Sequence, residues 1–198
     1  MTRRAVYGFG LLFTVVCTLM TVESINIPRW VSYNPTARRH YSMGLHRRCS
    51  SVTGTCEPFP RPSDCVDSRA GFCDLWRSVG FLVSLSVVVE LATIVSFVVI
   101  IAGGVQRRAA GWKIISSILG FGAAVQCAGT AIVAHLSSTD DRFARGWQLD
   151  LSWRLCTASW IIMAAAASVI AASARYLPEE DEYETIPDNP MSYEQDEL

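Results

Sequence analysis

Val79 to Ala102 reads VGFLVSLSVVVELATIVSFVVIIA, and its only charge is Glu90. As a helix rising about 1.5 Å per residue it reaches about 36 Å, enough to cross a hydrocarbon core of ~30 Å. Three more runs are of the same kind. Residues 5–22 (AVYGFGLLFTVVCTLMTV) carry no charge, and 114–136 and 155–174 contain no acid, Arg or Lys. Four such runs in 198 residues leave almost nothing to cover them as core helices of a soluble domain. The chain is 51% hydrophobic with a mean hydropathy of +0.27, in keeping with one domain embedded in a membrane. Spans are placed at 5–22, 78–103, 114–136 and 154–177, leaving 1–4, 23–77, 104–113, 137–153 and 178–198 outside them.

Seventeen basic residues against eighteen acids give a net charge of -1, which excludes a general attraction for nucleic acid. Lys113 is the only lysine, so a polylysine surface for anionic lipid is missing too. Thr2-Arg3-Arg4 before an apolar run is also how a secretory signal peptide begins. Thr21-Val22-Glu23-Ser24, however, sets a bulky acid next to the only candidate cleavage position, which favours an uncleaved first span. Raw counting of basic residues orients the chain one way, whereas Arg107, Arg108 and Lys113, in a short acid-free segment, orient it the other. Cysteines decide. Cys49, Cys56, Cys65 and Cys73 all fall between the first two spans, and an even cluster belongs in an oxidising compartment. The first loop is therefore expected to be extracellular, with both termini cytosolic and the protein in the plasma membrane.

That loop is Pro-punctuated and bounded by Trp30 and Trp76, and its cysteine gaps lack the spacing of a zinc site. Two disulfides are expected, with three connectivities open. Cys17, Cys127 and Cys156 read as small buried apolar residues. Trp30, Trp76, Trp112, Trp147 and Trp153 lie near span boundaries and are expected in the interface belt. Residues 137–153, with Asp140, Asp141, Arg142, Arg145 and Asp150, read as a solvated surface, and two adjacent carboxylates are too few for a cation site.

Trp30, then Gly44-Leu45-His46-Arg47-Arg48-Cys49, then Cys56, resembles the claudin signature. His46 and Ser42 stand where that family has Trp, and Cys65 and Cys73 have no counterpart in it. FCDLWRSVGF (72–81), DDRFARGW (140–147) and LDLSWRLCTASW (149–160) are similar to fungal four-span proteins of the claudin-like branch. The resemblance implies a left-handed bundle of four transmembrane helices, an all-α integral membrane fold capped by a small sheet of outer-loop strands. It makes Cys49–Cys56 the family disulfide, leaves Cys65 to pair with Cys73, and gives Trp30, Gly44 and Leu45 the task of seating the sheet.

Within the bilayer, Ser116, Gly120, Ala124 and Ala128, and likewise Ala164, Ser168 and Ala172, recur every four residues. They are expected at bundle seams, with a homo-oligomer surface as the alternative. Glu90 sits about 18 Å below the outer end of its span and Gln126 about 15 Å below that of an antiparallel neighbour. A neutral Glu90 carboxyl is expected to donate to Gln126 as interhelical glue, the rival being a proton or ion pathway. After Arg175 the tail is acidic; Tyr183-Glu184-Thr185-Ile186 fits a Tyr-x-x-hydrophobic sorting signal through Tyr183 and Ile186. Catalytic motifs, cofactor loops and an N-glycan acceptor are missing, and His40, His46 and His135 have no nucleophile beside them in sequence. The expected protein is non-enzymatic, needs neither cofactor nor metal, and has the lipid bilayer, other membrane proteins and further copies of itself as partners. It organises membrane domains or protein contacts through its outer loop, the alternative being a regulatory or sensing subunit of an ambient-pH receptor complex.

Overall fold

The computed structural model describes residues 3–36, 39–65, 70–143 and 146–176. The four apolar runs lie in four helices, α1 (Arg3–Asn26), α2 (Ala70–Ala102), α3 (Gly104–Thr139) and α4 (Leu151–Tyr176). Each holds a stretch long and apolar enough to cross a membrane: Ala5–Asn26, Gly71–Ala102, Ala110–Thr139 and Leu151–Tyr176. Each helix packs on two others in a closed cycle, α1 on α2, α2 on α3, α3 on α4 and α4 on α1. Phe9, Phe13, Phe81, Val88, Val95, Phe121, Ile161 and Val169 point outward from the bundle. Hydrocarbon, and not water, suits such a surface.

The segment between α1 and α2 forms β1 (Val31–Thr36), β2 (Arg39–Met43), β3 (Arg47–Ser50), β4 (Thr55–Pro58) and a short 3-10 turn, Pro62–Cys65. A fifth strand, β5 (Trp147–Leu149), comes from the α3–α4 connection and pairs with β1, giving an antiparallel sheet ordered β4-β3-β2-β1-β5. Residues 137–153 are therefore more than a solvated surface. Trp147 and Leu149 are half-buried and Gln148 is exposed, an alternation too short to be read as a strand from sequence. Gly54, at φ +67°, closes the turn between β3 and β4 in the left-handed region that suits glycine.

Two apolar cores fill the interior. Trp30, Val31, Leu45, Phe59, Phe72 and Trp76 centre the one under the sheet, and Tyr7, Cys17, Phe97, Leu119 and Met163 the one toward the other end. Trp30 and Trp76 are fully buried and so are core residues, not members of an interface belt; Trp112, Trp147 and Trp153 are half-buried. Cys17 and Cys156 are buried free thiols, and Cys127 is half-buried.

The small-residue stripe of α3 lies on the opposite face from the one expected. Gly120, Ala124 and Ala128 are exposed, and a Cβ on Gly120 would meet nothing within 4 Å. The inward face is Ile115, Leu119, Gln126, Val133 and Leu136. Gly122 and Gly129 let α2 approach there: a Cβ would meet Val89 at 3.3 Å and Val83 at 3.4 Å, respectively. On α4, Ser168 and Ala172 are likewise exposed and Ala164 is half-buried. Both faces of a membrane helix are apolar, so small-residue spacing alone does not tell inward from outward.

Candidate functional site

The sheet is fixed to the bundle by the residues of the Trp30, Gly44, Leu45 pattern. The Trp30 ring is fully buried and its Nε1 donates to the Ser24 carbonyl at 2.7 Å, holding the strand entry against the end of α1. The Trp30 backbone N–H donates to Met43 O at 2.8 Å and its carbonyl accepts from Asp150 N at 3.0 Å, so one residue joins β2 to the start of α4. At Gly44 a Cβ would lie 2.5 Å from Pro28 Cα, so the chain passes there only without a side chain. Leu45 is 2% exposed, and its carbonyl accepts from Trp76 Nε1 at 3.3 Å. The disulfides are Cys49–Cys56, directly across β3 and β4, and Cys65–Cys73, which ties the 3-10 turn to the first turns of α2.

Two fastenings carried no sequence signal of their own. Arg29 grips Asp150 with two hydrogen bonds, Nε to Oδ2 at 3.0 Å and Nη2 to Oδ1 at 3.3 Å, and Asp150 Oδ1 also caps α4 by accepting from Leu151 N at 2.7 Å. Burial pushes the Asp150 carboxyl up, but the Leu151 N–H, Arg29 and Ser32 together outweigh it and hold the group below its ordinary 3.8. The second is an aromatic stack. Phe72 lies 5.5 Å from Trp76 and 5.9 Å from Phe143, Phe143 5.7 Å from Trp147, and Trp147 5.4 Å from Tyr33. It runs from the head of α2 through the α3–α4 connection into the sheet.

Between the stack and the sheet opens a cleft of about 670 Å³, lined by residues of both connections and the head of α2. Arg142 lies along its wall, 4.2 Å over the Phe72 ring, with Nη2 donating to Asp64 O at 3.1 Å. Asp140 accepts from the Arg142 backbone N–H at 3.0 Å, so it and Asp141 are not a joint pair of free carboxylates. Beside the cleft, hydrogen bonds from Arg48 and Arg61 hold the exposed Glu57 carboxyl below the usual range.

The intramembrane polar residues form a layer between the two apolar cores. Gln126 Nε2 lies 2.6 Å from Glu90 Oε1, 2.9 Å from Thr21 Oγ1 and 3.1 Å from Ser86 Oγ. Thr21 Oγ1 donates to Glu90 Oε1 at 3.0 Å and lies 3.1 Å from Ser159 Oγ. One residue or more from each helix thus meets at this level. The amide, and not the carboxyl, is the donor between Gln126 and Glu90, reversing the direction expected from sequence. Glu90 Oε2 and Gln126 Oε1 are buried without a hydrogen-bond partner among the described residues. Tyr183, Ile186 and the acidic tail lie outside the described residues.

Residues 9–173 match the family described as lipoma HMGIC fusion partner-like protein. No curated protein matches the chain.

Proposed function

The chain belongs to the lipoma HMGIC fusion partner-like family of four-span membrane proteins, and from that premise we propose that it is a non-enzymatic, claudin-like organiser of membrane domains and protein contacts in the plasma membrane. The observation that carries this reading is the attachment of the sheet. Two disulfides, a fully buried Trp30 and the Gly44–Pro28 approach hold five strands in a fixed pose at one end of the bundle. A surface so pre-organised loses little entropy on meeting a partner. The disulfides favour an oxidising, extracellular side for the sheet, which leaves both termini cytosolic.

Proximity labelling in intact cells tests the reading with the Gly44→Val variant, whose side chain collides with Pro28. At matched surface abundance, the variant is expected to lose most of the wild-type protein's labelled neighbours. An unchanged set would overturn the proposal. A second reading, an ion or proton pathway at Glu90, is favoured by the two buried oxygens in the polar layer that have no partner among the described residues. Conductance abolished by Glu90→Gln would support it. A sensing role in a receptor complex would instead need a cytosolic partner that is lost when residues 178–198 are removed.

A further inference from the structure

The turn that joins β2 to β3 sits where the bundle meets its membrane boundary. Leu45 O accepts from Trp76 Nε1, and a Cβ on Gly80, one turn further along α2, would lie 3.5 Å from His46 Cε1, so the turn rests on the head of α2. Arg77 is the last charge of that helix before Glu90, which sets it at the level of lipid headgroups. Four residues on and on the same face, Phe81 is 67% exposed and faces away from the bundle. Between the turn and the end of α1 lies a groove of about 360 Å³, with Asn26, His46 and Arg47 exposed on its walls and Ile25 and Pro28 half-buried. We infer that the groove docks the phosphodiester headgroup of a phospholipid from the leaflet on the sheet side, with Arg47 and Arg77 as its phosphate-binding pair.

Charge complementarity selects that occupant. Arg29, Arg48, Arg61 and Arg142 each have a carboxylate at 3.9 Å or less. Arg47, next to His46 in the chain, and Arg77, a turn above the Gly80 seat, are exposed, and their guanidinium groups have neither ion pair nor hydrogen bond among the described residues; the Asn26 amide is as free. Two exposed acids stand at the same end, Asp74 three residues before Arg77 and Glu23 three before Asn26. The patch therefore holds no net charge and is not a general trap for anions. Recognition falls to the guanidinium forks, each of which can give a phosphate two parallel hydrogen bonds, with the Asn26 amide as a further donor. The acyl chains then follow Phe81 down the bundle, where the outward apolar side chains already require lipid. The turn that carries Arg47 is also fixed in advance, since Gly44 N donates to Arg47 O at 2.8 Å and Phe59 N to His46 O at 3.0 Å.

The test incubates full-length protein in detergent with phosphatidylcholine, phosphatidylglycerol or the phosphate-free diacylglycerol of the same chains, and reads retained lipid by native mass spectrometry. Both phospholipids are expected to be retained as a single adduct, and the diacylglycerol at least about tenfold less. Arg47→Gln with Arg77→Gln should lower phospholipid retention by about tenfold at an unchanged melting temperature. Arg154→Gln, at an exposed arginine in the first turn of α4, should leave retention unchanged. Soluble glycerophosphocholine, which has the phosphodiester without the chains, should not displace the lipid. Absence of a retained phospholipid, equal retention of the diacylglycerol, indifference to the double substitution, an equal loss in Arg154→Gln, or displacement by millimolar glycerophosphocholine would overturn the inference.

Discussion

Glu90→Lys is the substitution the polar layer tolerates least. Glu90 is 1% exposed and accepts from Gln126 Nε2 at 2.6 Å and Thr21 Oγ1 at 3.0 Å. An ammonium there turns donors against donors at a position buried among the four helices. A lysine at mid-helix costs at least ~2.5 kcal/mol in a membrane. The two lost hydrogen bonds add about 1 kcal/mol each, for a total of about 4.5 kcal/mol. At a few degrees per kcal/mol for a chain of this size, the melting temperature should fall by on the order of 10 °C. Glu90→Gln keeps an acceptor oxygen toward both donors and should cost less than about 1 kcal/mol. Thermal melts of the two variants in detergent, followed by size exclusion, read this difference, and surface delivery in cells reads its consequence. A structural role for the Glu90 acceptor is ruled out if Glu90→Lys melts like the wild type, or if Glu90→Gln is as damaging as Glu90→Lys. Were Glu90→Gln to melt and traffic normally yet lose an ion flux or a pH response, the structural-glue account would give way to a working proton site.

Cys65→Ser opens the Cys65–Cys73 loop and should destabilise the sheet end by about 2 to 3 kcal/mol, read as a lower melting temperature and a greater susceptibility of the first loop to protease. The Asp150 carboxyl lies below its ordinary 3.8, so its stabilisation is complete above that pH and is lost as pH falls through the lower folded value. Protection of the Arg29–Asp150 junction from proteolysis should accordingly hold at pH 5 to 7 and fail only well below 3.8, and Asp150→Asn should remove that acid dependence.

Hydropathy made the four helices legible, because 79–102 and its three companions have no alternative burial. The Trp30, Gly44, Leu45, Cys49, Cys56 pattern made the sheet legible, since each of those residues performs a local task that a linear motif encodes. Matched depth on antiparallel spans brought Glu90 and Gln126 to one level, and the structure sets them 2.6 Å apart. Thr21, Ser86 and Ser159 were missed, because a lone hydroxyl in a span bonds its own helix as readily as a neighbour. β5, the Arg29–Asp150 clasp and the Phe72–Phe143–Trp147 stack were missed as well, because each joins residues far apart in the chain with no periodicity to betray them. The outward turn of Gly120, Ala124 and Ala128 shows the limit of pattern in lipid, where apolarity marks both faces of a helix.

Display of the disulfide-tied sheet on the outer face of the four-span bundle is open to a direct test by tag accessibility. An epitope inserted in the β3–β4 turn beside Gly54, with a second epitope at the C-terminus, is exposed to protease on intact cells. Digestion of the turn epitope is expected, with protection of the C-terminal one until the membrane is permeabilised. Digestion of the C-terminal epitope on intact cells, with the turn epitope protected, would contradict it.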